Sequence, residues 1–119
     1  MEAIKGKLKE YLSMDHELDF SEFNEYYQSI ILKLNEHYQE FTEQDLLDIR
    51  YILNTVTVNA QMWGSRKDKN SKKYKKIQEK ARFWADAATY KLKRDFGYDN
   101  EKIEAADEKI DGEMKPKED

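Results

Sequence analysis

The chain has 119 residues, no cysteine, and 39% charged side chains that leave a net charge of −4. That length carries one domain with its own core, and the missing thiols exclude a disulfide framework, thiolate metal sites and cysteine nucleophiles. No apolar run approaches the roughly 20 residues of a membrane span, and Met1–Ser13 lacks the unbroken apolar stretch of a secretory signal, so a cytoplasmic protein without a membrane partner is expected.

Only 4 glycines and 1 proline interrupt the chain, which favours long helices. The bias to Lys (17, against 4 Arg), Ile, Tyr and Asn suggests the AT-rich coding of a low-GC bacterium, its phages or its mobile elements. Charge is segregated: residues 1–65 sum to −7, residues 66–94 to +9 and residues 95–119 to −6. Such blocks either complement one another within the fold or form separate binding surfaces.

Residues 2–12 form a short amphipathic helix, with Ile4, Leu8, Tyr11 and Leu12 on one side and Gly6 weakening it. A connector follows, and Asp19 or Ser21 can cap the next helix, about 20–40. Its apolar positions Phe20, Phe23, Tyr27, Ile30, Leu34 and Tyr38 share one face, widened by Tyr26 and Ile31. Thr42 through Asp45 reads as a capping box with Asp in the place of Glu.

A third helix, 43–63, then carries Leu46, Ile49, Leu53, Val56, Ala60 and Trp63 at alternating steps of three and four. Tyr51 to Ser65 contains no charge at all, which marks it as the central helix. Thr55-Val56-Thr57-Val58 alternates as a strand would, but the seam on both sides favours helix. Gly64 stands where a helix-ending glycine belongs.

Ser71 is the expected cap of a fourth helix, 71–96, with Tyr74, Ile77, Ala81, Trp84 and Ala88 inward and Ala81, Ala85 and Ala88 forming a small-residue face. Gly97 should stop it, with Tyr98 folding back. Asp99 or Asn100 can cap a final helix of about 100–110 held by Ile103, Ala106 and Ile110, and 112–119 reads as a disordered charged tail. The expected fold is therefore all-α: an antiparallel helical bundle of three long helices (about 20–40, 43–63, 71–96) plus short N- and C-terminal helices, with 1–111 as a single domain.

Chemistry-bearing constellations are few. His16 and His37 are the only histidines, and His37 has Leu34 and Phe41 where a second metal ligand would stand, so no metal and no cofactor is expected. There is no Gly-rich phosphate loop. Glu22 and Glu25 lie one turn apart on the second helix, and Asp45 and Asp48 likewise on the third. Two such pairs facing each other can hold magnesium through hard oxygen ligands. In these four residues the chain resembles the all-α nucleotide pyrophosphohydrolases of the MazG type, a resemblance that implies a magnesium-dependent nucleotide hydrolase. It lacks the doubled Glu of that family's first motif and has Asp for Glu in the second.

Two surfaces suggest binding instead. Asn54, Thr55, Thr57, Asn59 and Gln61 put neutral polar groups where an exposed helix would carry Lys and Glu, as at a protein interface depleted of charge. The uncharged face also permits a homodimer in which 51–63 meets its copy. Arg66, Lys67, Lys69, Lys72, Lys73, Lys75, Lys76, Lys80 and Arg82, interleaved with Trp63, Tyr74 and Phe83, can neutralise phosphates and stack on bases. Alternatively, the acidic block 99–113 folds back over them. The leading expectation is a small non-enzymatic interaction protein, an adaptor or inhibitor docking on a protein partner. Nucleic-acid binding through 66–82 is the alternative, and nucleotide hydrolysis the second alternative.

Overall fold

A computed structural model describes residues 1–14 and 17–115; His16 and the end of the tail, 116–119, lie outside the described residues. Five helices follow one another: α1 (Glu2–Leu12), α2 (Phe20–His37), α3 (Glu43–Gly64), α4 (Ser71–Phe96) and α5 (Asn100–Met114), with a 3-10 turn at Tyr38–Glu40. No strand occurs among the described residues, and residues 55–58 are helical. Their threonines are tolerated there because the Thr55 and Thr57 hydroxyls donate back to the carbonyls of Tyr51 and Leu53, at 3.1 and 2.8 Å.

Local chemistry starts three of these helices. The Asp19 carboxylate accepts from the Glu22 N–H at 2.8 Å, and that of Asp99 from the Lys102 N–H at 2.9 Å. Thr42 and Asp45 form the reciprocal capping box, at 3.1 Å in both directions. Each bond satisfies an N–H that the first turn leaves without an intrahelical partner. Gly97 ends α4 at φ +69°, and the Tyr98 N–H returns to the Leu92 carbonyl at 3.2 Å.

α3 is the axis of the core; Leu46, Ile49, Ile52, Leu53 and Ala60 on it are wholly buried. α4 runs antiparallel to it and close against it, since Gly64 meets Tyr74 at one end and Arg50 reaches Thr89 toward the other. Ala60, Ala81, Ala85 and Ala88, all buried, let the two backbones approach. α2 covers this pair through larger side chains. At its start Phe23 packs on Trp63 and Tyr74, with ring centroids 5.0 and 5.7 Å apart, and just after its end Tyr38 packs on Trp84 at 5.3 Å. α2 is thus antiparallel to α3. α1 crosses α2, with the Tyr26 hydroxyl donating to the Ile4 carbonyl at 2.9 Å. α5 lies on α3 through bonds described below.

Four local readings change. α2 gives way to the 3-10 turn at Tyr38, short of residue 40. Gly64 is the last helical residue rather than a left-handed stop; its lack of a side chain serves packing, because a Cβ there would sit 3.2 Å from the Tyr74 Cβ. Ser71 does not cap α4: Asn70 precedes the helix without a side-chain cap bond, and the Ser71 hydroxyl is buried without a partner. α5 extends through Gly112 to Met114, beyond the expected end near 110, because Met114 is buried in the core alongside Ile110.

Two glycines with open space around them separate backbone conformation from packing. Gly97→Ala should cost about 1 kcal/mol, because Ala must hold a left-handed φ. Gly6→Ala, inside α1, should stabilise by roughly 0.5–1 kcal/mol through helix propensity. Urea unfolding midpoints that move in the same direction for both variants would refute this assignment.

Candidate functional site

The four carboxylates do not converge. Glu22 and Glu25 are exposed on the first turns of α2, which sit at the Trp63 end of α3. Asp45 and Asp48 begin α3, about 25 Å away along its axis at 1.5 Å per residue. Asp45 is occupied by its capping box. Asp48 is buried, accepts from the Gln44 amide at 3.0 Å, and pairs with the Lys5 ammonium at 3.4 Å. Among the described residues no group of three or more His, Cys, Asp or Glu side chains is placed to hold a metal. The facing pairs that the resemblance to the pyrophosphohydrolases requires are therefore not formed. His37 stays at the end of its own helix, with Nδ1 3.2 Å from Glu40 and Nε2 3.7 Å from Glu36.

The uncharged face of α3 is brought together in part. Asn54 and Gln61 are exposed, and Thr55 and Asn59 are half-buried between α3 and the end of α1. Asn59 donates to the Thr55 carbonyl at 3.0 Å, so its amide lies along the helix. Thr57 falls elsewhere: two turns beyond Arg50, it shares the edge that faces α4. Two residues at the centre of this surface, Val58 and Met62, were not among the sequence-predicted site residues. They are 63% and 51% exposed. Leu12, 41% exposed, borders the same area across a cleft of about 110 Å³ lined by Leu8, Tyr11, Thr55, Val56 and Trp63.

The acidic block does not cover the basic one. α5 turns Asp107, Asp111 and Glu113 to α3 and α1 instead. Arg50 donates through Nη1 to both oxygens of Asp107, at 2.8 and 2.6 Å, and through Nε to Thr89 at 2.7 Å. The Tyr51 hydroxyl donates to Asp111 at 2.9 Å, and Glu113 approaches Lys5 at 3.9 Å. Burial first, and then the bond to Asp111, pushes the Tyr51 hydroxyl up to about 12.

Of the nine basic side chains singled out, Arg66 alone has an ion-pair partner among the described residues. It meets Glu17 in a two-point contact that holds the Glu17 carboxyl below the usual range. Lys73 lies over the Phe20 ring at 5.4 Å. Lys67, Lys69, Lys72, Lys75, Lys76, Lys80 and Arg82 are exposed. Trp63 and Tyr74 belong to the core, whereas Phe83 and Tyr90 stand 65% and 63% exposed on the outer side of α4. Tyr90 was not anticipated, although its seven-residue spacing from Phe83 is visible in the sequence.

No helix among the described residues is long and apolar enough to cross a membrane. Compared with protein families, characterised proteins and solved structures, the chain matches none.

The ties from α5 to α3 make two predictions. Asp107→Ala strands the largely buried Arg50 guanidinium and should cost about 2 kcal/mol, whereas Asp95→Ala, an exposed neighbour of Arg94, should stay within about 0.5 kcal/mol. The Tyr51 hydroxyl, and secondarily Lys115, hold the Asp111 carboxyl below its usual range. A folded-state pKa lowered in this way stabilises at neutral pH, and that stabilisation is lost as pH falls through the folded value. Asp111→Asn should therefore flatten, without abolishing, the fall in stability below about pH 4. Urea titrations across the acid range with identical slopes for both proteins would contradict it.

Proposed function

We propose that the protein is a non-enzymatic helical interaction protein, an adaptor or inhibitor, that docks a protein partner on the exposed face of α3. One observation carries this reading: Val58 and Met62, the centre of that face, are exposed within the longest uncharged stretch of the chain. Neutral Asn54, Thr55, Asn59 and Gln61 surround them. A partner covering this area desolvates amides and hydroxyls rather than charges, which costs far less. The acids at its border are already engaged: Asp107 with Arg50, Asp111 with Tyr51, Glu17 with Arg66. The cleft beside Leu12 then suits the apolar ridge of an amphipathic helix laid along the groove. The lysine-rich, cysteine-free composition fits a cytoplasmic accessory protein of a low-GC bacterium or its phages.

The test is a Val58→Glu, Met62→Glu double variant beside the wild type. Both sites are exposed, so circular dichroism and the melting midpoint should hardly change. Quantitative affinity capture from the native host should show at least one protein retained by the wild type and lost by the variant, or light scattering should show a dimer that becomes a monomer. A monomeric wild type whose captured set equals that of the variant would sink the reading.

A further inference from the structure

We propose that the outward face of α4 is a platform for single-stranded nucleic acid, with Lys72, Lys76 and Lys80 holding phosphates while Phe83 and Tyr90 stack on unpaired bases. The inference concerns a different surface from α3 and does not depend on what docks there.

The inward side of α4 is fixed by its buried residues Tyr74, Ile77, Ala81, Ala85, Ala88 and Leu92. Lys76, Phe83 and Tyr90 follow one another at seven-residue steps on the opposite side. Seven residues are nearly two helical turns, so the three side chains form a line, with the two rings about 10 Å apart along the axis. Lys72 and Lys80 stand one turn to either side of Lys76. An exposed aromatic alone is unremarkable. Two on the same outward line, continuing a row of lysines, form a surface with one chemistry.

The charge on this surface is not used inside the protein. The chain is net acidic, yet Lys72, Lys76 and Lys80 have no ion-pair partner among the described residues, and Asp107, Asp111 and Glu113 of α5 turn instead to Arg50, Tyr51 and Lys5. Lys72 lies in the first turn of α4, where positive charge opposes the helix dipole, and Lys72, Lys76 and Lys80 repel one another at four-residue spacing. They are unfavourable to their own helix and uncompensated by their own fold; an external polyanion answers both conditions.

The rings narrow the kind of polyanion. A duplex hides the π-faces of its bases, whereas a single strand offers them to Phe83 and Tyr90. Exposed Glu79 and Asp86 flank one edge of the line and repel phosphates, so the backbone is directed along the Lys76–Lys80 edge. The far end is closed by Arg94, whose guanidinium lies 5.3 Å over the Tyr90 ring and pairs with Asp95 at 2.8 Å, so it is not a phosphate contact. Lysine in place of arginine gives point charges without forked base readout, and binding is therefore tolerant of sequence.

The experiment is fluorescence anisotropy of labelled oligothymidine and oligouridine of roughly 20 nucleotides, a duplex of equal length, and anionic vesicles, over about 50–200 mM salt. The wild type should bind the single strands more tightly than the duplex. Three phosphates at ~0.7 each should give a log–log salt slope near −2. Lys72→Glu with Lys76→Glu and Lys80→Glu should abolish binding. Phe83→Ala and Tyr90→Ala should each weaken it about tenfold with the salt slope unchanged, and Phe83→Trp should retain it. All substituted positions are exposed, and melting curves confirm the fold. No single-strand binding at the lowest salt, duplex binding indifferent to the two rings, or a preference for vesicles would each overturn the proposal.

Discussion

Arg50 is the sole lysine or arginine between Lys33 and Arg66, and from α3 it binds Thr89 of α4 and Asp107 of α5. That single guanidinium ties the acidic helix α5 to the α3–α4 pair and fixes its register there. Both oxygens of the Asp107 carboxylate accept from the Arg50 Nη1 while Nε holds Thr89, and the pair lies partly out of water, where its loss is costly. With Asp107 fixed, Asp111 reaches Tyr51 and Glu113 reaches Lys5 along the same helix. α5 is thereby held in one register on the α1–α3 side. The basic stretch of α4 has no acidic helix left to cover it.

Side-chain size sets the rest of the architecture. Where α3 meets α4 the contacts are made by Ala60, Gly64, Ala81, Ala85 and Ala88, so the pair forms a tight antiparallel hairpin. Where α2 meets that pair the contacts are Phe23, Tyr27, Ile30 and Leu34, and α2 stands further off. The aromatic cluster of Phe20, Phe23, Trp63 and Tyr74 fills the wider end. One side of α4 is consumed by this packing and its opposite side is left bare. α3, wedged between α2, α4 and α5, keeps open beyond its first turn the strip through Asn54, Val58, Gln61 and Met62.

The all-α bundle and its core were legible because they rest on local and periodic signals. The step of three and four from Leu46 to Trp63, the capping box at Thr42 and the left-handed Gly97 each act within one or two turns, and each is found as read. The misread positions are those whose role depends on a distant partner. Gly64 looks like a stop in isolation, but it is small because Tyr74 approaches it. Met114 sits in a charged tail by composition, but it is buried because Arg50 and Tyr51 hold α5 in register with the core. Thr57 belongs to an uncharged stretch, but the rotation of α3 turns it to α4. The magnesium-type spacing at Glu22–Glu25 and Asp45–Asp48 was real as spacing; antiparallel packing of α2 on α3 puts the two pairs at opposite ends.

Charge blocks show the same boundary between local and tertiary information most sharply. Counting fixes that residues 66–94 are positive and the flanks negative, but three arrangements satisfy the count: neutralisation within the fold, neutralisation by a copy, or a free surface. Electrostatics alone favours the first, since opposite charges brought within contact gain energy at any dielectric constant. Burial overrides it. Ile103, Ile110 and Met114 give α5 one apolar stripe, and that stripe can be covered only where α3 and α1 offer apolar partners, not on the lysine-bearing side of α4. The hydrophobic term chooses the location of α5, and the ion pairs to Arg50 and Lys5 follow from that choice. A net-acidic protein thus keeps a positive face because its acidic helix is amphipathic, and the position of that helix is set by its apolar side.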